Sequence, residues 1–298
     1  MDIPSLQRKL DEAKYICSGD VAATLLVALQ LGRPLLIEGP AGVGKTEIAK
    51  VMAAALGREL VRLQCYEGLD ESKALYEWNY QKQLLSIQVQ MDRRDADELT
   101  KSLFSDEYLL ERPLLRAIRS QEPVVLLIDE IDKADEEFEA FLLELLSEMQ
   151  VTIPETGVVK ARSIPFVVLT SNRTRPLGEA LRRRCAYLYL QYPDIQRETA
   201  IIRAKRPNVN EHLALQVAQA IHDLRQSEAI LKKPSIAETL DWVSALEALG
   251  VSDLNREAAR QTMGFVLKGS EDLEAAGDVL YGHGHDHEHC GACGHGQA

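Results

Sequence analysis

Residues 35–46, LLIEGPAGVGKT, constrain this chain more than any other stretch. The apolar run Leu35, Leu36, Ile37 reads as a buried parallel strand, and it leads into residues 39–46, which fit the phosphate-loop pattern GxxxxGKT. A helix should follow at once, because residues 47–56 are rich in strong helix formers and Gly57 stops them. Gly39, Gly42 and Gly44 let the backbone turn its N–H groups inward, and the helix start adds partial positive charge. Gly39, Pro40, Ala41, Gly42, Val43 and Gly44 therefore read as a cradle for an anion. A polyphosphate fits such a cradle. Lys45 would reach the β- and γ-phosphates of ATP as a point charge, and the Thr46 hydroxyl would ligate Mg²⁺.

A second chemical signal follows Pro123. Residues 124–128 are an unbroken apolar run ending in Asp129 and Glu130, a pattern that belongs in the middle of a parallel sheet covered on both faces. At the carboxyl end of such a strand the two carboxylates lie where open α/β sheets bind ligands. Asp129 would hold Mg²⁺ through water, and Glu130 would orient or deprotonate the attacking water. Residues 165–170 form another buried strand, ended by Ser171 and Asn172. Asn172 suits positioning of the attacking water or sensing of the γ-phosphate, and on local evidence it suits a plain turn equally well.

Residues 177–190, LGEALRRRCAYLYL, put Arg182, Arg183 and Arg184 ahead of an alternating strand. Three charges do not belong in the protein's own core, so these arginines are expected to face solvent, a neighbour or a phosphate. One reading is a surface basic cluster. In an oligomer, one of them could instead reach the next subunit's nucleotide as an arginine finger.

Chain length allows one large domain and one small one. A formal net charge of -12 opposes nonspecific binding to nucleic acid or anionic membranes, which needs excess Lys and Arg. No run is long enough to span a bilayer, and residues 1–15 lack a basic stretch followed by an apolar core. The expectation is a cytoplasmic protein without membrane insertion. Cys17, Cys65 and Cys185 are isolated, which favours reduced thiols over a disulfide framework.

The remaining segments read as follows. Residues 5–31 form two helices separated by Ser18-Gly19-Asp20, the second over 21–31, and residues 59–64 form a short strand. The polar segment 67–79 precedes an interrupted helical stretch, 81–122, whose residues 91–98 make a solvated face. Tyr76, Trp78 and Tyr80 would share one face if extended, or else pack against a neighbouring helix. Residues 132–149 make a long amphipathic helix with Phe138, Phe141, Leu142, Leu145 and Leu146 on its apolar side, and residues 150–164 a hairpin with an exposed tip at Glu155-Thr156-Gly157. After Pro193, helices are expected over 194–205, 211–226, 235–248 and 253–268. The final residues, GHGHDHEHCGACGHGQA, cannot build a core. Their His283, His285, His287, His289, Cys290, Cys293 and His295 offer imidazoles and thiolates that can close around Zn²⁺, Ni²⁺ or Cu⁺.

The order of these motifs resembles the AAA+ ATPases: phosphate loop, LLIDE strand, Ser-Asn strand end, arginines before a further strand, then helices. The hairpin at 150–164 and the insert-like EGLDESKALYEWNYQKQLL look like the MoxR branch. TSNRTRPLGEALRRRC and KPSIAETLDW are similar to its accessory ATPases for carbon monoxide dehydrogenase maturation. The resemblance implies an α/β fold: a P-loop NTPase αβα sandwich with a five-stranded parallel sheet over 1–193, carrying inserts near 67–85 and 150–164. A small all-helical lid over 194–276 and a flexible tail over 277–298 would follow. It implies a ring, commonly a hexamer, with ATP at subunit interfaces. It also implies remodelling of a protein client or help in installing a metal cofactor, often beside a von Willebrand factor A domain protein. Arg184 matches the family's finger position, with Arg183 in reserve. The chain departs from the family at Pro234-Ser235-Ile236, where many relatives carry a lid arginine that touches the γ-phosphate, so whether a second sensor exists stays open, with Lys232 and Lys233 the nearby cations. Two other readings are a nucleotide-controlled metal carrier using the tail and a DNA-directed motor, which the acidic balance opposes.

Overall fold

The computed structural model describes residues 1–90 and 103–282. Residues 91–98, read above as a solvated face, and the metal-ligand candidates His283, His285, His287, His289, Cys290, Cys293 and His295 lie outside the described residues. The chain divides into two compact units, Met1–Tyr192 and Pro193–Ala298.

The first unit is built on a five-stranded parallel sheet. Its strands run in the order Leu60–Gln64, Val125–Asp129, Phe166–Ser171, Leu35–Glu38, Ala186–Tyr189. The sequence pattern follows position in the sheet. The three central strands are buried at every residue, whereas the two edge strands alternate between covered and exposed positions. Within each central strand, successive side chains enter opposite cores. Leu35, Ile37, Val125, Leu127 and Val168 pack with Ile48 and Met52 of the Lys45–Leu56 helix, on one face. Leu36, Leu126, Ile128, Val167 and Leu169 pack with Leu115, Ile118, Phe138, Leu142 and Leu145 on the other. Each such leucine contributes about 1.5–3 kcal/mol of transfer free energy, so the two-sided burial holds the strand ends in place.

Parallel strands end together at their carboxyl edge, and that edge carries Glu38, Asp129 and Ser171. The Lys45–Leu56 helix stops at Gly57 in left-handed backbone (φ 64°), which Gly accommodates without the Cβ penalty.

Several local expectations need adjustment. The second helix begins at Gly19, capped by the Ser18 side chain, so the break falls earlier than Ser18-Gly19-Asp20. The helix expected over 132–149 is Glu136–Glu148. Asp135 caps it by accepting from the Phe138 amide, and a 3-10 turn, Ile131–Lys133, precedes it. The aromatic alternation fails at Tyr80. Tyr76 and Trp78 lie in a short strand, Tyr76–Trp78, paired antiparallel with Leu109–Glu111, while Tyr80 starts the helix Tyr80–Gln90 and is exposed. Gln150–Ile153 and Gly157–Lys160 pair as the expected hairpin.

The second unit is helical: Ile195–Lys205, Glu211–Gln226, Ile236–Ala248, Arg256–Thr262 and Ser270–Tyr281. Trp242 is fully buried, with its indole N–H donating to Thr262 Oγ1 at 2.7 Å. Ser270–Tyr281 has no counterpart among the expected helices, and it occupies residues 277–281, assigned above to the tail. Among the described residues no helix is long and apolar enough to cross a membrane.

Candidate functional site

The phosphate loop has the backbone its glycines permit. Gly39, Gly42 and Gly44 all have positive φ. At Gly39 the need is also steric, since a Cβ would lie 2.3 Å from the Leu190 carbonyl oxygen. Gly44 starts the Lys45–Leu56 helix without a side-chain cap, so the amides of its first turn are left for a ligand. Lys45 is buried, and its ammonium donates to the carbonyl oxygens of Gly39 (2.8 Å) and Pro40 (2.7 Å). Burial pushes the Lys45 amine below its ordinary value, with Asp132, Asp129 and Glu130 pulling the other way.

Strand order brings Asp129 against the helix start. Thr46 donates its hydroxyl to Asp129 Oδ1 at 2.9 Å, and the Thr170 hydroxyl donates to the same oxygen at 2.6 Å. Arg62 Nη2 meets the other oxygen, Oδ2, at 2.6 Å. Thr46 and Asp129 supply hard oxygen donors side by side, the chemistry Mg²⁺ requires.

Glu130 follows in left-handed backbone, φ 57° and ψ 49°, an uncommon conformation for a residue with a side chain. It turns the chain out of the strand, and the Glu130 amide donates to Thr170 Oγ1 at 2.9 Å. Three neighbours hold the carboxylate: Gln64 Nε2 at 3.0 Å and Lys133 Nζ at 2.6 Å on Oε2, and Asn172 Nδ2 at 3.3 Å on Oε1. Asn172 is thus brought to Glu130. Its own amide donates to Asp132 Oδ1 at 3.1 Å, while the Thr174 amide and hydroxyl donate to Asp132 Oδ2 at 2.9 and 2.7 Å. Burial pushes the Asp132 carboxyl up, but the Thr174 hydroxyl and the two amides outweigh it and hold the group below its ordinary value.

The three arginines separate. Arg182 is exposed as expected, but its tip turns back to its own fold. Its Nη1 sits 3.0 Å from Oε1 of the buried Glu38, whose Oε2 accepts from the Tyr187 hydroxyl at 2.9 Å, with Arg173 Nε at 3.7 Å. A buried carboxylate at the strand end needs a cation, and Arg182 supplies it. Arg183 and Arg184 are exposed too, but their partners lie at the surface: Arg183 pairs with Glu179, and Arg184 donates to Ser147 Oγ and the Ala180 carbonyl.

Sequence reasoning overlooked Arg62, Gln64, Thr170, Asp132 and Lys133 around the two acids, and Glu38 with Arg173. Lys133 sits three residues after Glu130, a spacing that hints at the pair. The others carry no local signal. In the second unit, Ser235 caps the Ile236–Ala248 helix reciprocally with Glu238, and Lys233 Nζ donates to the Ser227 carbonyl at 2.5 Å.

Cys65 and Cys185 are buried thiols, each pushed up to about 12 chiefly by burial. Among the described residues no disulfide forms, and no cluster of three His, Cys, Asp or Glu suits a metal ion.

Residues 34–185 match the family model described as an AAA domain of the dynein-related subfamily. The gas vesicle ATPase GvpN of Ancylobacter aquaticus is 27% identical over 238 residues, covering 75% of this chain and 64% of that protein. The denitrification regulatory protein NirQ of Stutzerimonas stutzeri is 24% identical over 237 residues, 76% of each chain. Among solved structures, the Thermotoga maritima RuvB Holliday junction branch migration motor superposes with a TM-score of 0.50 at 19% identity. That match covers 87% of this chain and 72% of the motor. The likeness shows a shared fold. With the phosphate loop, the two acids and the sheet order in one place, this chain belongs to the AAA family, dynein-related subfamily, and carries the AAA+ P-loop NTPase fold.

Proposed function

We propose that this protein is a ring-forming ATPase that uses ATP binding and hydrolysis to remodel, or to mature the metallocofactor of, a protein client. The observation that carries the hydrolytic step is Glu130, held by Gln64, Lys133 and Asn172 immediately beyond the Asp129–Thr46 pair. The loop amides and Lys45 would bind the β- and γ-phosphates, releasing the ammonium from the Gly39 and Pro40 carbonyls. Mg²⁺, held by Thr46 and Asp129, would neutralise charge developing on the phosphate oxygens. Glu130 would take a proton from the attacking water, and Asn172, hydrogen-bonded to it, would keep that water aligned. Arg184, with Arg183 as the second candidate, would complete a neighbouring subunit's site as a finger. Both are exposed and, unlike Arg182, neither is tied to the buried Glu38, which supports this reading.

Two measurements test it. Glu130→Gln should lose ATP turnover by about 100-fold or more while nucleotide binding survives. Wild-type turnover in the purified variant would refute the mechanism. Arg184→Ala should lose turnover by about 10³-fold, and mixing with Glu130→Gln subunits, which retain the finger, should restore part of it. No recovery at any mixing ratio would rule out a finger supplied in trans. Trapping with Glu130→Gln in ATP is the route to the client, including a metalloenzyme or a von Willebrand factor A domain protein.

The His/Cys-rich composition of residues 283–298 favours a second reading, a nucleotide-controlled carrier of Zn²⁺, Ni²⁺ or Cu⁺. Deleting residues 282–298 should leave client activation intact if the protein remodels and abolish it if the protein carries metal. A DNA-directed role is opposed by the net charge of -12. A hexameric ring and a cytoplasmic site of action belong to the same proposal.

A further inference from the structure

A buried carboxylate that the nucleotide site does not use lies on the helix Glu136–Glu148. Glu136 and Glu137 face solvent there, whereas Glu139 is 5% exposed, on a helix that sends Phe138, Leu142 and Leu145 into the core. A charge in such a place is costly unless it is paired, and both oxygens of Glu139 have partners. Oε1 forms an ion pair with Arg175, and Oε2 accepts from the Gly178 amide at 2.8 Å. The approach is close enough that a Cβ at Gly178 would lie 3.0 Å from Oε2.

Both partners belong to one irregular segment. Residues 172–178 join the strand Phe166–Ser171 to the short helix Glu179–Arg184 and have no helix or strand of their own. They are tied instead to residues 132–139 at successive points. Asp132 accepts from the Asn172 and Thr174 amides, the Ala134 carbonyl accepts from Arg175 Nε at 2.8 Å, and Glu139 takes Arg175 and Gly178. Gly178 stands at the N-cap position of the short helix, so Glu139 holds the point where that helix begins. Leu181 is buried in the same core as Leu142 and Leu145, and Arg184 at the far end donates to Ser147 Oγ. The short helix therefore lies along its neighbour from Glu139 to Ser147, a distance of about 12 Å at 1.5 Å per residue.

We propose, on the reading of Arg184 as a finger supplied in trans, that Glu139 is a positioning residue for this helix and acts on the neighbouring subunit's nucleotide rather than on its own. The contacts of Arg184 itself are at the surface, where water competes with them. The buried end of the helix is what fixes its backbone. A carboxylate accepting from an amide makes one of the stronger hydrogen bonds, with a set direction. Glu139→Gln would leave one acceptor oxygen for Arg175 and Gly178 and set an NH₂ group against one of them. The helix could then shift, and a misplacement of about 1 Å costs up to about 100-fold in rate. The other end of the segment is held separately, Asn172 by Asp132 and Glu130, so the subunit's own site should keep its geometry.

The test is subunit mixing with the full chain. Alone, Glu139→Gln should lose ATP turnover by about 10- to 100-fold, less than Arg184→Ala, while thermal stabilisation by ADP and Mg²⁺ stays as in wild type. Mixed with Glu130→Gln subunits, which have a dead site of their own and an intact finger, turnover per Glu139→Gln subunit should rise with the Glu130→Gln share. Arg184→Ala in the same mixtures is the reference. A defect in the subunit's own site, or a merely structural one, stays with its subunit and would not respond to the neighbour. Recovery of Arg184→Ala but not of Glu139→Gln would overturn the proposal and leave the finger standing. Recovery of neither would overturn both, and wild-type turnover in Glu139→Gln alone would overturn the proposal by itself. Arg175→Gln removes the same ion pair from a side chain that is 26% exposed, and it is the second variant should Glu139→Gln fail to bind ADP. It should recover in the mixture in the same way, and a flat response would count against Glu139 equally.

Discussion

Each unit of this chain buries a carboxylate against an arginine, and the two pairs are built differently. In the second unit Glu198 and Arg225 are both buried. The guanidinium meets both carboxylate oxygens, at 2.5 and 2.9 Å, Nε donates to the Pro234 carbonyl at 2.8 Å, and the Thr239 hydroxyl donates to Glu198 Oε1 at 2.8 Å. Glu198, Arg225 and Thr239 come from three helices of that unit, and Pro234 from the segment just before the third. In the first unit Asp129 is equally buried, but its arginine, Arg62, has a side chain 49% exposed, and its other oxygen is shared by two hydroxyls. The first arrangement is closed and structural. The second is open on one side and holds partners that a metal ion can replace, as a binding site requires.

The closed pair should give the largest stability effect. Arg225→Ala would strand the Glu198 charge in the helical core and destabilise that unit by about 3–5 kcal/mol, measured by denaturant unfolding. Arg225→Met with Glu198→Leu, which removes both charges, should recover most of the loss. If the single variant costs no more than an exposed pair does, the contrast between the two arginines is wrong.

Asp132 lies between the extremes. Both its oxygens accept from donors, so Asp132→Asn would set an NH₂ group against the Asn172 or Thr174 amide and cost about 1–3 kcal/mol at neutral pH. Its carboxyl is held below the ordinary value of 3.8, which fixes the sign of the pH dependence. The native state favours the ionised form, so this contribution is present above 3.8 and is lost as pH falls through the lower folded value. Thermal unfolding of wild type and variant should therefore converge in acid and separate on the neutral side. A constant gap across that range would remove Asp132 from the charged network.

Legibility followed the range of the interactions. The strand, loop and helix over residues 35–56 and the apolar run ending in Asp129 were readable because their signals are local: burial on both faces, glycine at positive φ, helix formers stopped by Gly57. The arginine cluster was legible as exposed, but the partner of one member was not, for the opposite reason. Arg182 and Glu38 are 144 residues apart, and nothing near either one announces the pair. Gln64 was seen only as the end of an alternating strand, and its contact with Glu130 exists because Gln64 and Asp129 are in register in the sheet. The Tyr76–Trp78 ribbon escaped notice because its partner strand, Leu109–Glu111, is three residues long and carries no period of its own. The closing helix Ser270–Tyr281 has no side-chain N-cap and begins after Gly269, so the usual start signal is missing.

The open pair should give the smallest stability effect and the more informative functional one. Arg62→Gln removes a half-exposed cation from Asp129 while the Thr46 and Thr170 hydroxyls remain, so unfolding should change by no more than about 1 kcal/mol. Its consequence should appear in the metal dependence instead. A guanidinium 2.6 Å from Asp129 Oδ2 repels an incoming divalent cation, and removing it should lower the Mg²⁺ concentration needed for nucleotide to stabilise the protein by about three- to tenfold. Arg62→Lys keeps the charge and should stay near wild type. The readout is thermal stabilisation by ADP across a Mg²⁺ titration, which needs no turnover. If Arg62→Gln instead requires more Mg²⁺, Arg62 orients Asp129 for the metal rather than occupying its place, and the open arrangement in the first unit is a positioning device in the same sense as the closed one.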